Sequence, residues 1–103
     1  MQNVLLQNKF NEEVFESIEK IKKEVYPPTR FIRMLRQSDN NAVEAVQKLV
    51  TKETTSGIEA LWEKGKLNLS MEALVIKPEY KELFSPQVVS TCARKLKQLG
   101  YKF

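Results

Sequence analysis

Apolar residues recur along most of this chain at spacings of three and four, the period of an α-helix with one buried face. Val14, Ile18, Ile21 and Val25 predict a first helix from about Glu12 to Glu24. Asn11 is expected to cap it, and Glu12 and Glu13 suit the positive end of its dipole. Phe10 and Phe15 then stand at the two positions of a hydrophobic staple, with residues 1–10 as a flexible lead-in. Pro27 and Pro28 end the helix, because proline pushes the residue before it out of helical geometry. A second helix, Thr29 to Gln37, buries Phe31, Met34 and Leu35 and carries Arg30, Arg33 and Arg36 on a neighbouring stripe. Asp39, Asn40 and Asn41 form a turn-and-cap cluster. Val43, Val46, Leu49 and Val50 define a third helix from about Ala42 to Thr51, and small Ala42 and Ala45 permit close approach. The polar Thr51–Thr55 segment reads as a loop.

The stretch from Gly57 to Val75, GIEALWEKGKLNLSMEALV, reads as two short helices with a tight link. Ser56 and Glu59 have the spacing of a capping box. Ile58, Leu61 and Trp62 are assigned to one buried face, and Gly65 stands where a left-handed residue would close the helix. Leu67 and Leu69 alternate across Asn68 as in a short extended link. Ser70 caps the next helix, Leu69 staples onto Leu74, and Met71, Leu74 and Val75 face the core until Pro78. Glu79–Phe84 makes one further turn. Ser85 as cap, Pro86 at the first helical position, Phe84 with Val89 as staple, and Gly100 after the end define the last helix. Its buried stripe is Val89, Cys92, Ala93, Leu96 and Leu99. Nothing alternates as a strand would over any useful length, and no long period repeats. The fold expected is all-α: one domain over residues 1–103, a compact bundle of five or six short helices with a capped C-terminal helix.

Composition fits that reading. The 103 residues are 42% hydrophobic and 29% charged, an ordinary soluble balance for one domain. No stretch approaches the ~20 apolar residues of a membrane span. The N-terminus has neither a basic region before its apolar pair nor a small-residue cleavage site, so no signal peptide is expected. A single cysteine, Cys92, cannot form an internal disulfide and suits a reducing cytoplasm. The net charge of +4 is unevenly spread. No acid lies between Glu24 and Asp39, where the three arginines stand, and none follows Glu82, where Arg94, Lys95, Lys97 and Lys102 stand.

Candidate chemistry narrows the picture mainly by exclusion. With no histidine, the commonest general base and metal ligand is missing. A lone cysteine on a helical stripe reads as a small buried residue. The three glycines lie far apart, so no phosphate loop is present. Glu12, Glu13, Glu16 and Glu19, and the pair Glu59 and Glu63, read as solvated helix faces or caps. No catalysis, metal or cofactor is expected. Two kinds of binding remain. Gln87, Ser90, Thr91 and Arg94 could face a DNA groove while Lys95, Lys97 and Lys102 meet phosphates, as on a helix-turn-helix recognition helix, with Arg30, Arg33 and Arg36 as a second contact. A plain amphipathic helix presents the same polar face. Alternatively the chain binds protein, with Tyr26, Tyr80, Tyr101 and Phe103 as contact residues, tyrosine being enriched at interface hot spots. Trp62 is assigned to the core.

The pattern Gly57-Ile58-x-x-Leu61-Trp62-x-x-Gly65-Lys66-Leu67-x-Leu69-Ser70-x-Glu72-x-Leu74-Val75, continuing Lys77-Pro78-x-Tyr80-x-x-Leu83-Phe84, resembles a recurring C-terminal module of small bacterial proteins. Tyr26-Pro27, Arg30-Phe31 and Met34 upstream, with Ala93-Arg94, Leu96 and Gly100-Tyr101 downstream, extend the resemblance over about residues 26–101. Such proteins are generally labelled uncharacterised, and the resemblance implies no activity and no functional residue. It implies a bacterial or phage cytoplasmic protein, an accessory of a mobile or defence locus. The reading overall is a non-catalytic binding module with a protein partner, nucleic acid being the alternative.

Overall fold

Helix α1, Val4–Glu24, turns Phe10, Val14, Ile18 and Ile21 inward at spacings of four, four and three. It therefore begins well before the expected start at Glu12, and residues from Val4 onward are helical rather than a flexible lead-in. No glycine or proline interrupts 4–11, so the helix extends until Phe10 is aligned with Val14. Asn11 does not cap this helix. Its Oδ1 instead accepts from the Ala42 backbone N–H at 3.1 Å. Phe10 and Phe15 do not staple either, since residues five apart on a helix point about 140° from each other. Phe10 is fully buried and meets Tyr80 and Phe84 edge-to-face, with centroids at 5.0 and 5.4 Å, while Phe15 is 42% exposed.

The structure, a computed structural model, describes residues 4–51 and 56–102, without the side chains of Ser56 and Gly57. The expected Ser56–Glu59 capping box, the loop after Thr51, and Phe103 lie outside the described residues. After α1 come α2 (Thr29–Gln37), α3 (Ala42–Val50), α4 (Ser56–Glu63), α5 (Met71–Val75) and α6 (Pro86–Gln98), with single 3-10 turns at Leu67–Leu69 and Lys81–Leu83. No strand occurs among the described residues. The class is all-α, as the spacing predicts.

Helix α3 lies at the centre of the packing, against α1, α2, α5 and α6. Its Ala42, Ala45, Val46 and Val50 are fully buried, so the small side chains do let neighbours approach closely. Two asparagines satisfy its first turn. Asn41 accepts from Glu44 N–H at 3.2 Å, and Asn11 reaches across from α1 to Ala42. Helix α5, all five of whose residues are buried, packs most extensively on α6. Ser70 Oγ accepts from Ala73 N–H at 3.1 Å and Ser85 Oγ from Val88 N–H at 3.3 Å, the two caps expected from sequence.

Three helices end in the same way, with paired backbone bonds closing a left-handed residue. In α4, Lys66 N–H donates to Leu61 C=O and Gly65 N–H to Trp62 C=O, with Gly65 at φ 70°. In α6, Tyr101 N–H donates to Leu96 C=O and Gly100 N–H to Lys97 C=O, with Gly100 at φ 82°. In α2 the closing position is Asp39, at φ 52°, followed by Asn40 at φ 61°. Side chains rarely adopt such angles, and Asp and Asn are among the few that tolerate them.

The core has a main cluster, from Phe10 to Cys92, and a smaller one of Ile58, Ala73 and Leu96 flanked by Leu67, Leu99 and Tyr101. The link between α4 and α5 is a 3-10 turn, not the expected extended segment. At three residues per turn, Leu67 and Leu69 point about 120° apart instead of the same way. Leu69 enters the main cluster and Leu67 the smaller one, so the turn ties the two together. On α6 the deeply buried stripe is Val88, Cys92 and Leu96, with Val89, Ala93 and Leu99 half-buried beside it. Phe10→Ala should lower stability by about 3–5 kcal/mol, because an aromatic lost from a closed core leaves a cavity. Trp62→Ala, at a surface site described below, should cost about 1 kcal/mol or less. Urea unfolding of both variants, with unchanged denaturant dependence, checks the pair.

Candidate binding surfaces

The basic residues divide into two sets. Lys9 pairs with Glu79 at 2.7 Å, Lys77 with Glu13 at 3.1 Å, Lys66 with Glu24 at 3.0 Å and Lys48 with Glu44 at 3.3 Å. These are exposed pairs of small energetic weight. The Lys9 hydrogen bond to Glu79 raises the ammonium pKa and lowers that of the carboxyl. The arginines behave differently. Arg30, Arg33 and Arg36 on α2 and Arg94 on α6 are exposed, and none forms an ion pair with a described residue. Gln87, Ser90, Arg94 and Lys97 share the exposed side of α6, Thr91 is half-buried, and Lys102 is exposed beyond the helix.

Lys95 does not belong to that basic face. Its side chain turns inward and is only 13% exposed, with Nζ donating to Val50 C=O at 2.6 Å and lying 3.6 Å from Glu72 Oε2. The helix places Cβ at the boundary, and four methylenes let the ammonium follow either direction. Here a buried carboxylate draws it in. Lys95 is thus withdrawn from any phosphate contact.

Glu72 sits in the first turn of α5 and is 3% exposed. Burial pushes its carboxyl above the usual range, while its own backbone N–H and Lys95 oppose that shift. Tyr26, half-buried, feels the same site: burial and the Glu72 charge raise its phenol. Cys92, fully buried, is pushed up to about 12 by burial and by Glu72, against Lys95. Its thiol stays protonated at neutral pH and is no nucleophile. The cluster joins α3, α5 and α6 around one buried charge pair. Among the described residues no group of His, Cys, Asp and Glu is placed to hold a metal ion, and no helix is long and apolar enough to cross a membrane.

Of the aromatic contact residues expected from sequence, Tyr80 is withdrawn from the surface, and Tyr26 and Tyr101 are half-buried. Tyr80 is fully buried, and its hydroxyl lies towards Glu13 without a well-formed hydrogen bond to any described residue. Burial, and then the Glu13 carboxylate, hold that phenol far above its usual range. Tyr80 is a core residue because Phe10 and the turn before α6 close over it. Tyr101 folds back onto Leu96 beside the smaller cluster, and Tyr26 is half-buried.

Like Phe15 on α1, Trp62, assigned from its spacing to the core, reaches solvent. It is 49% exposed on α4, while Ile58 and Leu61 face inward. The neighbouring charges hold the missed signal. Glu59 and Glu63 lie one turn apart and flank position 62, which places it at the polar edge of the helix. All three are exposed. The outer side of α4 therefore presents an indole beside two carboxylates that form no ion pair with a described residue.

No protein-family model, curated protein or solved structure matches the chain.

Lys95→Met should lower stability by about 3–5 kcal/mol at neutral pH, because Glu72 would be buried without its partner. The double change Glu72→Leu with Lys95→Met should recover most of that loss, and a double-mutant cycle by urea unfolding measures the difference. A carboxyl with a raised folded-state pKa holds its proton more tightly in the folded chain than in the unfolded one. Glu72 therefore costs stability as pH rises from its ordinary titration range through its folded value. The stability of Glu72→Gln relative to the native chain should increase over that window.

Proposed function

We propose that this chain is a non-catalytic helical module that binds another protein through the outer face of α4. The single observation that carries the reading is Trp62, 49% exposed beside Glu59 and Glu63. A half-exposed indole combines large apolar area with a rigid shape, the property that makes tryptophan frequent at interface hot spots. Flanking carboxylates give such a surface a preference for cationic partners. The lack of histidine and the protonated buried thiol support a role without catalysis. The resemblance of Gly57–Val75 to a recurring bacterial module supports an accessory role in a bacterial or phage cytoplasm.

Nucleic-acid binding is the second reading, favoured by four exposed arginines without acid partners among the described residues. Two observations weigh against it. Lys95 is committed to Glu72 and Val50, and α5 is entirely buried, whereas the first helix of a helix-turn-helix crosses the DNA backbone.

A photo-crosslinking amino acid at position 62, introduced in cells of the source organism, should yield a protein adduct. The same group at Ser90 should not, and Glu59→Arg with Glu63→Arg should abolish the adduct at 62. Failure to form any adduct at 62 overturns the reading. DNA retardation at about 50 mM salt, lost at about 200 mM and lost again in Arg94→Glu with Lys97→Glu, would establish the second reading instead, since released counterions impose that response.

A further inference from the structure

The chain carries on its own surface a partner of the chemistry that the α4 face requires. On α2, Arg30, Arg33 and Arg36 recur every third residue over about 9 Å of helix axis. All three are exposed and without a described acid partner. On α4, Glu59 and Glu63 stand about 6 Å apart along the axis with Trp62 between them. These three are also exposed, and the carboxylates pair with no described cation. Several lysine and glutamate neighbours on the described surface have found each other: Lys9 with Glu79, Lys22 with Glu19, Lys48 with Glu44, Lys66 with Glu24 and Lys77 with Glu13. Unpaired charge also stands elsewhere, as at Lys20, Lys23, Arg94 and Lys97, but on α2 it is all positive and within α4 it is all negative.

We propose that the α4 face of one copy docks on the α2 arginine stripe of a second copy. The proposal rests on the protein-binding reading above and names the partner. Two guanidiniums meet the two carboxylates, each able to form a forked pair of N–H···O bonds. The third lies over the Trp62 ring, where the face of an indole attracts a cation. Lysine would serve less well on both counts, since it has neither the fork nor the flat face. The contact joins two different surfaces, so each docked copy still offers one α2 and one α4. Association continues into a short series or closes as a ring instead of stopping at a two-fold dimer. An interface built from charge at the surface weakens as salt screens it.

Sedimentation velocity of the full chain over a concentration series tests this. At about 50 mM salt the mean mass should rise above the 12.0 kDa monomer with concentration, and at about 500 mM it should fall back. Glu59→Arg with Glu63→Arg, and separately Arg30→Glu with Arg33→Glu, should each hold the chain monomeric, because each places like charges face to face. An equimolar mixture of the two variants should associate again, since the reversed α4 of one now fits the reversed α2 of the other. Circular dichroism establishes that each variant is folded. Glu59→Gln with Glu63→Gln provides a milder form of the same change, expected to weaken association by about tenfold. A chain that stays monomeric at millimolar concentration and low salt overturns the inference, as does association that neither reversal affects or a mixture that fails to associate. Crosslinks at position 62 to a different protein, with a monomeric chain in the centrifuge, would overturn self-docking while leaving the protein-binding reading in place. Loss of both results removes both.

Discussion

Helix α5 is too short to hold its shape in water, since five residues close barely more than one turn. Every one of those residues is nevertheless withdrawn from solvent, including a glutamate. That requirement organises much of what surrounds it. A buried carboxylate needs a counter-charge, and α6 supplies Lys95 from the side that packs against α5. The ammonium in turn donates to Val50 C=O at the end of α3, which gives a terminal carbonyl a partner. One ion pair thus fixes the relative placement of three helices. Apolar residues could fill the same volume, but they would specify the register of α5 less sharply.

Around this centre the chain is held by devices at helix ends more than by helix length. Serine caps start α5 and α6, and left-handed closures stop α2, α4 and α6. Between α4 and α5 a single 3-10 turn sends Leu67 and Leu69 into different clusters. Short helices with firm ends leave little surface uncommitted. Two described faces are left with unpaired charge of a single sign, the arginine stripe of α2 and the indole-carboxylate face of α4.

Features decided within a few residues of sequence were legible. The boundaries of α2 and α3, the caps at Ser70 and Ser85, and the turns at Gly65 and Gly100 follow from local spacing and local hydrogen bonds. Features decided by distant partners were not. Asn11 looks like a cap for its own helix, and it does cap a helix, but a different one. Phe10 has the position of a staple, yet its place is set by Tyr80 and Phe84. Lys95 has the sequence context of a phosphate contact, and only Glu72 decides that it points inward. Trp62 shows how narrow the margin is: one residue is 100° of helix, enough to turn a core indole into a surface one. Its flanking glutamates were the local clue, outweighed by the expectation that a single tryptophan is buried.

The bond from Asn11 to Ala42 spans 31 residues. Asn11 precedes Ala42 in the chain and is therefore synthesised first. In the folded chain its amide oxygen occupies the place where the first turn of α3 begins. Nucleation, the least favourable step in making any helix, is eased there by a group made earlier. The central helix of the bundle therefore starts against a group carried by a helix that comes before it in the sequence.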